Sequence, residues 1–227
     1  MRVVAEAGVN FKDLEEAIEM INESKRLGLW ATKFQCYDDE IIKDHPQREF
    51  LKSIMIGKDE AMILFEHGRE IGQKVFFTPM YEGCLKWLYQ YNSGIYKIRY
   101  LDQSNLELIN MIFIDKELFK PNWFTCLIST DFPKFYSTLN FFPLYCIPKY
   151  PATFEDYKWI MRKLEDTYYS GISDHTPDLK MMEYFLKWEK KDIYRGEIFF
   201  EKHVCLTKEC LEAEWSVTFK ELEEVLK

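Results

Sequence analysis

The chain has 227 residues, enough for one large domain with a substantial core. Apolar residues make up 47% and charged residues 30%, a globular rather than a disordered composition. A net charge of −8 argues against a nucleic-acid backbone as partner. No apolar run reaches the roughly 20 residues that span a bilayer, and the N-terminus lacks the long apolar region of a signal peptide. The six cysteines have no Cys-x-x-Cys spacing and several lie in apolar runs, as reduced core thiols do. The expectation is a cytoplasmic protein with no membrane partner.

Short β-rich runs alternate with helical patterns, at 2–7, 30–37, 74–79, 95–100, 123–130, 144–147, 168–173 and 197–206. Most are continuously apolar, as parallel strands covered on both faces are. Between the first two, Leu14, Ala17, Ile18 and Ile21 mark one face of a helix. Gly28, Gly72 and Gly94 stand between a helix and the next strand, where a left-handed residue is wanted. Residues 38–58 read as a long charged loop or lid. Ser104 with Glu107 forms a capping box at a helix start. Residues 131–143 are too short and too aromatic for a full helix. Phe154, Tyr157, Met161 and Leu164 make another apolar helical face, opened by Thr153 with Asp156, and Thr218 with Glu221 caps a last helix. Repeated βα units imply a parallel sheet with right-handed crossovers. Eight units favour a single (β/α)8 TIM-type barrel over residues 1–227, lean beside the usual ~250 residues and with a shortened fifth unit. An open doubly wound sheet is the alternative.

In such a barrel the chemistry collects at the C-terminal ends of the strands. Those ends carry Glu6 and Asn10, Lys33 and Gln35, Thr78, Lys97 and Asp102, Ser129 and Thr130, Tyr150, Asp174 and His175, and Lys202 and His203. Lys33 and Lys97 are notable because they interrupt apolar runs, and a buried ammonium needs an anion or a carboxylate beside it. A structural network of Lys33 and Lys97 with Glu6 and Asp102 satisfies the same requirement. His175 and His203 end neighbouring runs, but from spacing alone two such histidines read as ordinary hydrogen-bonded side chains. Glu201 and Lys202 read as a solvated pair of little energetic consequence.

Taken together and in order, several blocks resemble the sialic acid (N-acetylneuraminate) synthase family. They are Ala5-Glu6-Ala7-Gly8-Val9-Asn10, Thr32-Lys33-Phe34-Gln35, Phe76-Phe77-Thr78-Pro79, Tyr96-Lys97-Ile98 and Leu127-Ile128-Ser129-Thr130. Tyr150-Pro151, Ser173-Asp174-His175-Thr176 and Glu201-Lys202-His203 complete the series. The resemblance implies condensation of phosphoenolpyruvate with an N-acetylated aldose to give a nonulosonic 2-keto acid. It further implies Mn²⁺ or Mg²⁺ on His175 and His203, and Glu6, Lys33 and Lys97 at the chemistry. Lys33, Thr78, Lys97, Ser129 and Ser173 match phosphoenolpyruvate-binding positions, while Gln35, Tyr150 and Asp102 fall on the sugar side. A homodimer is the expected assembly.

The chain departs from the family's pattern at several positions. Tyr100 stands where a phosphate-contacting serine is expected, Asp131-Phe132 where Gly-Met is, and Pro148 where an asparagine is. Asp131 sets a carboxylate near the proposed anion site, to be offset by Arg99 or Lys149. The Gly-Pro-Asp segment is replaced by a stretch in which Glu209 or Glu212 is the candidate acid. The family's antifreeze-like domain is not expected within these residues. A barrel that binds metal or anions without the condensation is the competing expectation.

Overall fold

In the computed structural model, described for all residues except 92–93, 119–123, 132–140, 164–168 and 190–197, eight parallel strands close into a barrel. The strands are β1 (Arg2–Gly8), β2 (Ala31–Cys36), β3 (Val75–Pro79), β4 (Ile95–Ile98), β5 (Thr125–Thr130), β6 (Phe141–Cys146), β7 (Gly171–Asp174) and β8 (Phe199–Cys205). Each pairs with the next, and β1 pairs with β8, opposing Glu6 to His203. A two-residue strand, β9 (Val217–Thr218), is added outside β8. The helices are α1 (Leu14–Arg26), α2 (Arg48–Ser53), α3 (Lys58–Ile71), α4 (Glu82–Tyr91), α5 (Leu106–Leu118), α6 (Lys158–Lys163), α7 (Lys180–Glu189) and α8 (Phe219–Leu226). Closure settles the choice between barrel and open sheet. No helix among the described residues is long and apolar enough to cross a membrane.

Side chains alternate between the two faces of a strand, so each strand feeds two cores. Outward residues such as Ala5, Phe34, Phe77, Ile98, Ile128 and Phe200 pack under the helices. Inward, Val4, Ala31, Phe76, Ile95, Leu127, Leu144 and Phe199 form a separate apolar layer across the N-terminal half of the barrel. Trp30 seals it, its ring centroid 5.1 Å from Phe199 and 6.2 Å from Phe76. Gly171 is required here. Its φ is +151°, and an added Cβ would fall 1.8 Å from the Phe199 carbonyl oxygen.

Most helix punctuation was readable in the residues. Gly28, Gly72 and Gly94 all have positive φ, and Thr153 and Thr218 form the expected capping boxes. Four expectations are corrected. The cap of α5 is Asn105, which accepts from the Leu108 amide, rather than Ser104. The 154–164 face is broken into a 3-10 turn, Phe154–Tyr157, followed by α6, and Leu164 lies outside the described residues. The 38–58 segment is no loose lid: it contains α2 and buries Ile42, Leu51, Ile54 and Ile56 against the core. β6 starts at Phe141, three residues before the expected run. The shortened fifth helical unit and Phe132 lie outside the described residues.

Candidate active site at the barrel mouth

The next inward layer toward the C-terminal ends is polar. Two residues beyond Val4, Ala31, Phe76 and Ile95 come Glu6, Lys33, Thr78 and Lys97. Two beyond Leu127, Leu144, Gly171 and Phe199 come Ser129, Cys146, Ser173 and Glu201. All eight line one cavity of about 420 Å³, joined at the rim by Gln35, Tyr150, His175 and His203. A period of two in every strand thus stacks a polar floor on an apolar plug.

The floor is built on charge. Lys33 Nζ lies 2.8 Å from Glu6 Oε2 and 3.1 Å from Glu201 Oε2. Lys97 Nζ donates to Glu201 Oε1 at 2.6 Å, and the Ser173 hydroxyl donates to the same oxygen at 2.7 Å. Burial alone would raise the Glu201 carboxyl, but the ammonium groups of Lys33 and Lys97 outweigh it and hold it well below the usual carboxylate range. Burial likewise pulls the Lys33 ammonium down, and Glu201 with Glu6 more than restores it. For Lys97 burial wins, and its pKa is lowered. Thr78 Oγ1 is buried with no hydrogen-bond partner among the described residues. Burial pushes the Cys146 thiol up to about 11, which favours the protonated form over the nucleophilic thiolate at neutral pH.

At the rim, the His175 and His203 ring centroids are 5.4 Å apart, and Tyr150 stacks on His175 at 4.1 Å. His175 Nδ1 is 2.9 Å from the Ile147 carbonyl oxygen, and His203 Nδ1 is 2.9 Å from Glu212 Oε2. A proton on each Nδ1 leaves each Nε2 as a lone-pair donor, the arrangement found behind metal-bound imidazoles. Burial, then the neighbouring His203, lowers the His175 pKa to about 3, so that ring is neutral. The carboxylate of Glu212 outweighs burial at His203 and raises its pKa. Glu212 is itself placed by Asn10, whose Oδ1 accepts from the Glu212 amide while its Nδ2 donates to Val204 O and Ser216 Oγ. Gly8, at φ +54°, makes room, since an added Cβ would lie 3.0 Å from Glu212 Oε2 and 3.2 Å from Glu6 Oε1. The two imidazoles have suitable donor chemistry for a divalent ion. No three His, Cys, Asp or Glu side chains gather around one point among the described residues, so other ligands would be water or substrate.

Of the residues singled out in the sequence, Glu6, Lys33, Gln35, Thr78, Lys97, Ser129, Tyr150, Ser173, His175 and His203 meet at this cavity. Asp102 does not line it. Its carboxylate pairs with Arg99, three residues earlier, because a 3-10 turn (Tyr100–Asp102) folds the two together. Lys97 pairs with Glu201 in place of Asp102. Glu201 and Lys202 are not a solvated pair: they are 3% and 0% exposed and face opposite sides of β8. Lys202 points away from the cavity to Asp174, at 3.0 Å, on the adjacent strand. Tyr100 and Asp131, both departures from the family's pattern, bind each other: the Tyr100 hydroxyl donates to Asp131 Oδ2 at 2.8 Å. Arg99 and Lys149 instead serve Asp102 and Asp156. Sequence reasoning missed Glu201, although the period of two from Phe199 to His203 puts it inside. It also left Glu209 and Glu212 undecided, and only Glu212 reaches the cavity.

No family model matches the chain. An uncharacterized protein of Methanocaldococcus jannaschii is 27% identical over 192 residues, a match that covers 77% of this chain and 55% of that protein. The chain thus corresponds to about half the length of that relative. Among solved structures, the N-acetylneuraminic acid (sialic acid) synthetase of Leptospira borgpetersenii superposes with a TM-score of 0.79 at 23% identity, over 99% of this chain and 80% of that one. A spore coat polysaccharide biosynthesis protein of Bacillus subtilis gives 0.74 at 19% identity, over 99% and 66%. A truncated 3-deoxy-D-arabino-heptulosonate 7-phosphate synthase of Thermotoga maritima gives 0.67 at 13%, over 100% and 84%. At these identities the likeness establishes the fold: the chain is a (β/α)8 barrel of the shape these three structures share.

Proposed function

We propose that the chain is a phosphoenolpyruvate-dependent synthase that joins the enol carbon of phosphoenolpyruvate to the aldehyde of an N-acetylated aldose, giving a 2-keto acid. The observation that carries this reading is the convergence of two buried ammonium groups, three hydroxyls and two imidazoles with tied-down Nδ1 atoms on one cavity. Two cations with nearby hydroxyls suit a ligand that bears both a phosphate and a carboxylate. The likeness of the barrel to a sialic acid synthetase and a 3-deoxy-D-arabino-heptulosonate 7-phosphate synthase supports it at the level of a condensing enzyme.

In this mechanism Lys33 and Lys97 hold the anionic ends of phosphoenolpyruvate, with Thr78, Ser129 and Ser173 donating hydroxyls. Glu201 pairs with both ammonium groups and holds them aimed before the ligand arrives. His175 and His203 would hold a divalent ion, Mn²⁺ or Mg²⁺, which when bound supplies Lewis-acid polarisation of the aldehyde. Attack by the enol carbon leaves a cationic C2. Glu6, anchored by Lys33 and Gln35, positions the water that adds there and takes up its proton, and phosphate then departs with C–O cleavage. Gln35 and Tyr150 face the sugar.

A second reading, a barrel that binds anion or metal without the condensation, draws on the fact that Lys33 and Lys97 are already matched by Glu6 and Glu201. Phosphate release from phosphoenolpyruvate, with Mn²⁺ and N-acetylmannosamine, separates the two. Release that depends on the sugar and is lost in Lys33→Ala supports the synthase; binding of phosphoenolpyruvate with no release under any aldose supports the binder.

A further inference from the structure

Beside the central cavity lies a second chamber of about 290 Å³, and the two share the walls Gln35, Met80, Arg99 and Glu212. Its remaining surface is of a different character. Tyr37, Ile41, Ile42 and Leu51 come from the segment after β2, with the His45 imidazole among them, Val9 from the end of β1, and Leu211 and Trp215 from the loop between β8 and β9. Tyr37 is turned into the wall by its hydroxyl, which donates to Leu51 O at 2.9 Å. The 38–58 segment thus walls a mainly apolar chamber, with His45 in its lining, that adjoins the site holding the lysines and histidines.

We infer that this chamber receives an apolar arm on the acceptor substrate, an acyl or similar hydrocarbon group, while the acceptor's aldehyde sits in the central cavity. The inference rests on the proposed function for which substrate carries the arm. Continuity through the four shared residues argues for one ligand spanning both spaces rather than two ligands. The volume admits up to about nine carbon-sized atoms at a liquid-like ~30 Å³ each. A two-carbon acetyl group would leave most of that space unfilled, and unfilled apolar space forfeits contacts. Gln35 and Arg99 line both spaces, so polar groups border the passage between them; the Gln35 amide nitrogen donates to Glu6 and the Arg99 guanidinium pairs with Asp102.

The test titrates N-acetylmannosamine and N-hexanoylmannosamine into the full chain, with phosphoenolpyruvate binding measured separately in the same preparation. Each methylene that enters contributes about two- to fourfold in affinity, so the hexanoyl sugar should bind at least about tenfold tighter. Leu211→Asp, on a partly exposed side chain outside the central cavity, should abolish that preference and leave phosphoenolpyruvate binding intact. Ile42→Trp, which fills the chamber, is the second variant and should do the same. Equal or weaker binding of the hexanoyl sugar, or a preference that survives both variants, overturns the inference even where phosphoenolpyruvate binds. A hexanoyl preference lost in both variants, without phosphoenolpyruvate binding, upholds the chamber and refutes the synthase reading.

Discussion

Neutralising Glu201 is the sharpest test of how the floor of the site is held together. In Glu201→Gln, Lys33 keeps Glu6 at 2.8 Å, but Lys97 loses its one carboxylate partner among the described residues while remaining only 1% exposed. Removing one partner of a buried pair costs about 3–5 kcal/mol, because an uncompensated charge is left behind. One ammonium is orphaned and it borders a cavity that admits water, so the loss should sit at the lower end, about 3 kcal/mol. That is a large share of the ~5–15 kcal/mol a domain possesses. Urea unfolding at neutral pH, followed by circular dichroism, should show a lower midpoint with an unchanged slope. The double variant Glu201→Gln, Lys97→Met should recover most of the loss, since no charge is then stranded. A single-variant loss below about 1 kcal/mol, or a double variant worse than the single, would show that Glu201 does not hold Lys97 in place. The pH dependence has a definite sign. The folded Glu201 carboxyl lies below its unfolded value, so its contribution is complete above about pH 4.3 and disappears only as the pH falls through the depressed folded value.

Gly171→Ala drives a methyl into the Phe199 carbonyl at the heart of the barrel, and should cost more than about 4 kcal/mol or yield no soluble protein; a midpoint within error of wild type would contradict the register. Glu212→Gln removes the carboxylate behind His203 and should weaken Mn²⁺ binding, read by calorimetry, about 10- to 100-fold, with unfolding little changed. Mn²⁺ affinity should fall on acidification through the raised pKa of His203, above the ordinary ~6.5, because His175 stays neutral to far lower pH. An affinity flat from pH 8 to 5.5 would exclude His203 as a ligand.

The barrel was legible because its evidence is local. Continuous apolar runs, capping boxes and glycines after helices are written in consecutive residues, and only the edges of the runs shifted. β6 hid its first residues because Pro143 stands in the middle of them. The site was legible where a residue contradicts its surroundings, as Lys33 and Lys97 do inside apolar strands. It was illegible where function depends on which face a charged residue takes in a charged stretch. Glu201, Lys202 and His203 look alike as a polar tail; strand alternation separates Glu201 and His203 from Lys202, and pairing with β1 and β7 fixes the first two inward and Lys202 toward Asp174. Asp102 failed for the opposite reason: a tight turn gave it to Arg99, a pairing of close neighbours that competes with any distant site.

Whether the two lysines and two histidines form one phosphoenolpyruvate site is read by isothermal titration of phosphoenolpyruvate into Mn²⁺-loaded protein, beside Lys97→Ala. The wild type should show one saturable site that requires the metal and is weakened at least about tenfold in Lys97→Ala. No binding to a folded, metal-loaded wild type, or equal binding to the variant, would show that the lysines and histidines do not form one.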